Sequence, residues 1–177
     1  MNNFAFVDCH TVDEALGQLT PNAVVKAGGI DLLDLMKEDI VSPPKLVNIR
    51  NVSSLHGIRV GEDGLHVGPL STLSEIAAHP EVQRTYAGLA DAAGHAATPQ
   101  VRNMATLGGN LMQRPRCWYF RSSDFDCKKK AGPSDGCHAH NGENQYHAVI
   151  NNGTCAMVHP SSTAVPLLAM DAKVELT

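Results

Sequence analysis

Apolar positions recur with two different periods along the first fifty residues. Phe4-Ala5-Phe6-Val7 reads as a strand. The next piece, Thr11-Val12-Asp13-Glu14-Ala15-Leu16, reads as a helix start. Thr11 stands at the N-cap and Glu14 follows three residues on, the pattern of a capping box. Ala23-Val24-Val25-Lys26 is a short strand that runs into Ala27-Gly28-Gly29. Beyond it, Ile30 to Glu38 places Leu32, Leu33 and Met36 on one helical face, and Leu46-Val47-Asn48-Ile49 is a third strand. This alternation predicts a small α/β lobe over residues 1–56.

From Gly57 the texture changes, and residues 57–177 read as a larger α+β lobe. Gly57-Ile58-Arg59-Val60 and Leu65-His66-Val67-Gly68 flank Gly61-Glu62-Asp63-Gly64, which predicts a β-hairpin. Thr72 to Ala78 reads as a short helix, and Pro80 to Ala97 as one longer helix with Pro80 in its first turn. A polar stretch rich in Gly, Asn, Asp, Ser and Cys follows, an insertion over 114–156 without clear periodicity. A loop of that length in a compact domain needs something to order it. Pro160 to Met170 is helix-like, Ala172 to Leu176 strand-like, and the stop at Thr177 suggests a chain cut before a further domain.

Composition narrows the function classes. Hydrophobic residues make up 43% and charged residues 18% of the 177, the balance of an ordinary globular protein. A net charge of −4 gives no general attraction to nucleic acid or to an anionic membrane. The run Lys128-Lys129-Lys130 reads as a solvated loop, and no apolar segment approaches the ~20 residues that span a bilayer. The N-terminus lacks a basic region followed by an apolar stretch. The sequence by itself therefore predicts a cytoplasmic chain, with a periplasmic destination left open through export alongside a signal-bearing partner. No nucleophile–base set is visible, so any chemistry would belong to a cofactor.

Two glycine pairs are candidates for holding phosphate. Lys26-Ala27-Gly28-Gly29-Ile30-Asp31-Leu32-Leu33 lies between a strand and a helix, where glycines let backbone N–H groups converge at a helix start. It lacks the Gly-Lys-Ser/Thr of a Walker loop and the Gly-x-Gly-x-x-Gly of a Rossmann turn, so alone it is more often a tight turn than a site. The second is Arg102-Asn103-Met104-Ala105-Thr106-Leu107-Gly108-Gly109-Asn110. Two such loops suit a long ligand with two phosphates.

Together these two motifs resemble the flavin subunits of the xanthine dehydrogenase/aldehyde oxidoreductase family. Pro166-Leu167-Leu168-Ala169-Met170-Asp171-Ala172-x-Val174 is similar to the segment that follows in those subunits. The resemblance implies an α+β fold of the vanillyl-alcohol-oxidase (PCMH) type, two-lobed, with FAD extended between the lobes. It implies that residues from Lys26 to Leu33 hold the pyrophosphate, and that Ala105, Thr106, Gly109 and Asn110 lie along the flavin side. Ile30 stands where the family has Thr or Ser, and Ser161-Ser162 where many members have Ser-Asp, so one hydroxyl and one carboxylate contact are lost. The implied partners are a molybdopterin-binding large subunit and a [2Fe–2S] small subunit, with electrons leaving through FAD for an external acceptor.

The chain has five cysteines, an odd number that argues against a disulfide framework and toward metal or redox use. Cys9 reads as a small buried hydrophobe. Cys117, Cys127, Cys137 and Cys155 fall inside the insertion, and by spacing alone they suit zinc, an iron–sulfur cluster, or no joint role. His138, His140, His147 and His159 lie nearby, each readable as a surface histidine or one that supports a ligand. The insertion resembles that of the periplasmic aldehyde oxidoreductase type, which implies a [4Fe–4S] cluster on the four cysteines. Two other readings compete: a metal-stabilised interaction module without flavin, and a free-standing FAD oxidase, which would need a substrate domain.

Overall fold

The computed structural model describes residues 1–130, 136–150 and 153–176. In chain order the first elements are β1 (Ala5–Asp8), α1 (Val12–Gln18), β2 (Ala23–Lys26), α2 (Ile30–Lys37) and β3 (Lys45–Asn48). The hairpin β4 (Ile58–Gly61) and β5 (Gly64–Val67) follows, then α3 (Leu73–Ala78), α4 (Pro80–Thr85), α5 (Ala87–His95), α6 (Pro99–Arg102) and α7 (Leu107–Leu111). The last helices are α8 (Trp118–Arg121) and α9 (Ala164–Ala169).

The chain forms two compact units. One comprises residues 3–30, 43–112 and 161–177, the other residues 1–2, 31–42 and 113–160. In the first, β3 is the centre of a parallel sheet ordered β1-β3-β2, with Asp8 and Lys26 both in register with Asn48. The central strand buries Leu46 and Val47 completely, as a strand covered on both faces must. The main core of this unit joins Leu73 and Ile76 of α3, Val82 of α4, Leu89, Ala90 and Ala93 of α5, and Leu107. Helix α3 is held by a full capping box. Thr72 Oγ1 accepts from the Glu75 N–H at 3.2 Å, and the Glu75 carboxylate accepts from the Thr72 N–H at 2.7 Å.

Several expectations are corrected. The helix expected over Pro80–Ala97 is two helices that part at Tyr86, whose φ of −124° and ψ of 45° end the ladder. Thr85, Tyr86 and Gly88 fall together, and all three are poor helix formers. The helix expected from Pro160 begins only at Ala164, because Ser161 and Thr163 turn their hydroxyls to Asn110. Residues 172–176 form no strand. Among the described residues no strand pairs with them, and Val174 (71%) and Leu176 (92%) stand exposed. At α1, Thr11 accepts from the Glu14 N–H at 3.1 Å, but Glu14 takes the N–H of His10 (2.7 Å) rather than that of Thr11. On α2 the buried positions are Leu35 and Met36, with Leu32 and Leu33 half-buried.

The second unit has a thinner core of Leu35, Cys117 and Phe120, with Ile40, Val41, Tyr119, Cys127 and Met157 against it. Its order owes more to polar and aromatic contacts. Arg121 pairs with Asp31 at 2.7 Å, Asp34 at 3.3 Å and Glu38 at 3.8 Å, fastening α8 to α2. The Arg114 N–H also donates to Asp31, at 2.9 Å.

Candidate functional site

The first candidate site is built where β2 ends. Gly28 lies against the second glycine-bearing segment so closely that a Cβ there would stand 1.9 Å from the Met104 carbonyl oxygen. Only glycine permits that backbone approach. Gly29 has φ +80°, a left-handed conformation that again favours glycine. The second segment is fixed in turn: the Leu73 N–H donates to Ala105 O and the Leu107 N–H to Ser71 O, both at 2.9 Å. Thr106 is buried and caps α7, accepting from the Gly109 N–H at 3.2 Å.

Thus Lys26, Ala27, Gly28, Gly29 and Ile30 share a compact unit with Ala105, Thr106, Gly109 and Asn110, and the two segments meet at Gly28. Asp31, Leu32 and Leu33 belong to the other unit. Ile30 is exposed, without a hydroxyl to offer.

Asp8, Asn48 and Lys26 form a polar row at the C-terminal edge of the parallel sheet, the edge at which α/β sheets bind ligands. Lys26 Nζ donates to Asn48 Oδ1 (3.2 Å) and to Ala27 O (3.1 Å), while Asn48 Nδ2 donates to Asp8 Oδ1 at 2.5 Å. Burial pushes the Lys26 ammonium below its usual range, the nearby Arg50 adds to the shift, and Asp8 opposes it. Lys26 is readable in the sequence; Asp8 and Asn48 are not, because only strand register brings them together.

Asn110 is buried and its side-chain oxygen accepts from three donors: Ser161 Oγ and Thr163 Oγ1, each at 2.7 Å, and the Thr163 N–H at 3.4 Å. Ser161 is half of the Ser161-Ser162 pair singled out in the sequence. The structure assigns it to holding Asn110.

The second candidate site lies in the cysteine-bearing unit. Cys117 is buried at the N-cap of α8, and His147 Nε2 lies 3.1 Å from its sulfur. Burial pushes the Cys117 thiol up. The backbone N–H groups of Phe120 and Tyr119 work the other way, and the thiols of Cys127 and Cys137 raise it further. Cys127 shares the hydrophobic cluster with Cys117, while Cys137 and Cys155 are half-buried. Among the described residues, no three His, Cys, Asp or Glu side chains converge as ligands of a metal ion. Cys9 is buried beside Ala15 and Val47 in the other unit.

Comparison with known proteins identifies a family. Residues 2–177 match the family model described as the FAD binding domain in molybdopterin dehydrogenase. The chain is 40% identical over 179 residues to the aldehyde oxidoreductase FAD-binding subunit PaoB of Escherichia coli K12, an alignment covering 99% of this chain and 56% of that subunit. It is 36% identical over 116 residues to the nicotinate dehydrogenase FAD-subunit of Eubacterium barkeri, covering 63% of this chain and 39% of the relative. Among solved structures, carbon monoxide dehydrogenase from Hydrogenophaga pseudoflava superposes with a TM-score of 0.59 at 35% identity, over 62% of this chain and 39% of that one. Quinoline 2-oxidoreductase from Pseudomonas putida 86 gives 0.60 at 34% identity, over 62% and 39%. This chain thus spans little more than half the length of the first of these relatives, and the match to it runs through the cysteine-bearing stretch. The chain belongs to the family of FAD-binding domains of molybdopterin dehydrogenases.

Proposed function

We propose that this chain is the FAD-binding portion of an electron-transferring subunit in a molybdopterin-dependent oxidoreductase acting on aldehydes or heterocycles. The observation that carries the reading is the closure of Gly28 onto Met104, which makes one backbone-lined edge from the two segments. The Gly28-Gly29 turn would offer its N–H groups to the pyrophosphate, with Lys26 supplying positive charge beside it. Thr106 and Asn110 hold the second segment in shape, and its backbone would lie along the flavin side. Lobes over 1–56 and 57–177, in a vanillyl-alcohol-oxidase-type arrangement, are part of the same reading.

Cys117, Cys127, Cys137 and Cys155 would hold a [4Fe–4S] cluster. The donor set fits in kind: four thiols in one compact unit, two of them in one hydrophobic cluster. FAD and the cluster would supply the electron-carrying chemistry between a molybdopterin-binding large subunit with its [2Fe–2S] small subunit and an external acceptor. The aldehyde substrate rests on the name of the Escherichia coli relative. The cytoplasm is the expected site of synthesis, with co-export alongside a signal-bearing partner as the route to a periplasmic complex.

The test is flavin content. Wild-type complex purified anaerobically should carry about one FAD, with iron and sulfide near ~4 per chain beyond the partner's [2Fe–2S] centres. Gly28→Val should lose most of the flavin, because its side chain has to displace Met104. Retained flavin in Gly28→Val would remove this edge from the site, and a flavin-free wild type would favour the interaction module. Stoichiometric zinc without iron in the insertion would replace the cluster by a structural metal.

A further inference from the structure

Asp8, Asn48 and Lys26 come from three different strands, β1, β3 and β2, and their register places them side by side. Their hydrogen bonds admit one orientation of the Asn48 amide. An ionised carboxylate only accepts and an ammonium only donates, so Nδ2 must face Asp8 and Oδ1 must face Lys26, at 2.5 Å and 3.2 Å. Asn48 is 6% exposed, and its backbone is held as well, since the Cys9 N–H donates to Asn48 O at 3.0 Å. The Lys26 ammonium is thereby kept 3.1 Å from the Ala27 carbonyl, directly before Gly28, with the Phe6 ring 5.8 Å away. Among the described residues two of its three N–H groups are taken, which leaves one to offer. Burial and Arg50 press against its charge and Asp8 relieves them only in part, so this cation is short of negative partners.

We propose that Asp8 and Asn48 are positioning residues for the cofactor phosphates: Asp8 fixes the Asn48 amide, and the amide holds the Lys26 ammonium at the Gly28-Gly29 turn. This rests on the reading of that turn as the pyrophosphate site. Without Asp8 the amide is free to turn over and present its NH2 group to the ammonium, which repels it. Without Asn48 the long Lys26 side chain regains its rotamers and has to be ordered when the anion arrives. A loose lysine offers the same charge at a higher ordering cost. Asp8 is thus an acid that assists the binding of an anion, acting through two side chains.

The experiment uses the anaerobically purified complex, stripped of flavin and titrated with FAD at low and at high salt. Wild-type affinity should fall as salt screens the ammonium. Lys26→Met should raise the Kd about tenfold and flatten that salt dependence. Asp8→Ala and Asn48→Leu should each raise it about threefold. The sign at Asp8 is decisive, because by charge alone the removal of an acid tightens the binding of an anion. In the Lys26→Met background neither substitution should add a further loss, since both act through the ammonium. A defect of the fold would weaken FAD binding in that background too, so the double variants separate positioning from structure. Asn48 is buried and Asp8 exposed, so Asp8→Ala decides should Asn48→Leu fail to fold. An unchanged Kd in Lys26→Met, an unchanged or lower Kd in Asp8→Ala, or losses that add to that of Lys26→Met overturn the inference and leave the Gly28 edge standing. A wild type that binds no FAD overturns the pyrophosphate reading and this inference with it.

Discussion

The two compact units hold themselves together by different means. The glycine-bearing unit rests on aliphatic packing, with Ile76, Val82, Leu89 and Ala93 fully buried around a regular backbone ladder. Among its described residues, the cysteine-bearing unit has one four-residue α-helix and one 3-10 turn in its insertion, and a hydrophobic cluster of three buried residues. Its remaining order comes from ion pairs and from rings such as Trp118, Tyr119, Phe125, His138 and His147 in edge or tilted contact. A region built in the second way gains little from water exclusion and depends on specific partners.

The comparison can be broken most severely in the aliphatic unit. Ile76→Ala should cost about 2–5 kcal/mol of global stability, seen as a lowered midpoint in denaturant unfolding. A change confined to the insertion would contradict the assignment of that core.

A smaller loss is expected at Asn110. Asn110→Leu leaves Ser161, the Thr163 hydroxyl and the Thr163 N–H without their acceptor, at about 1–3 kcal/mol for each group that stays buried. Thermal unfolding should show the loss even in flavin-free protein. Flavin loss at unchanged stability would mean that the residue serves the cofactor first.

Arg121→Ala should act locally. The guanidinium and Asp31 are 12% and 13% exposed, so removing the guanidinium takes the shortest ion pair from a mostly buried carboxylate and leaves it the Arg114 N–H at 2.9 Å and Arg116 at 3.5 Å, for a cost of about 1–3 kcal/mol. Proteolytic cleavage within 113–150 should accelerate while the denaturant midpoint of the aliphatic unit holds. Equal protection in mutant and wild type would show that the ion pairs do not order the insertion. The smallest effect is expected from Thr72→Ala, which removes a cap of α3 worth about 1 kcal/mol; calorimetry with no measurable shift would show the packing of α3 to be sufficient without it.

Legibility in the sequence followed the same division. The strands, the hairpin and the start of α2 were readable because aliphatic runs and glycine turns carry their own period. The site segments were readable as motifs, yet the reason for Gly28 was not. The sequence suggests that a cofactor phosphate forbids its Cβ, whereas the Met104 carbonyl already does. The break at Tyr86 escaped because weak propensities adjacent to one another outweighed a continuous apolar face. The Cys117–His147 pair, 30 residues apart, has no periodic signature, since irregular chain fixes it only through three-dimensional contacts.

The approach of Gly28 to Met104 bears on kinetics. The two segments are joined by the chain itself, through a backbone contact and through the hydrogen bonds that clamp residues 105 and 107 to 71–73. An incoming dinucleotide would find its edge already assembled and would not have to organise it. Ordering costs are then small on the protein side, and association should follow encounter in one step. Rebinding of FAD to the stripped complex should give a single exponential whose rate rises linearly with FAD concentration. A plateau at high FAD would reveal an opening of this edge that precedes entry.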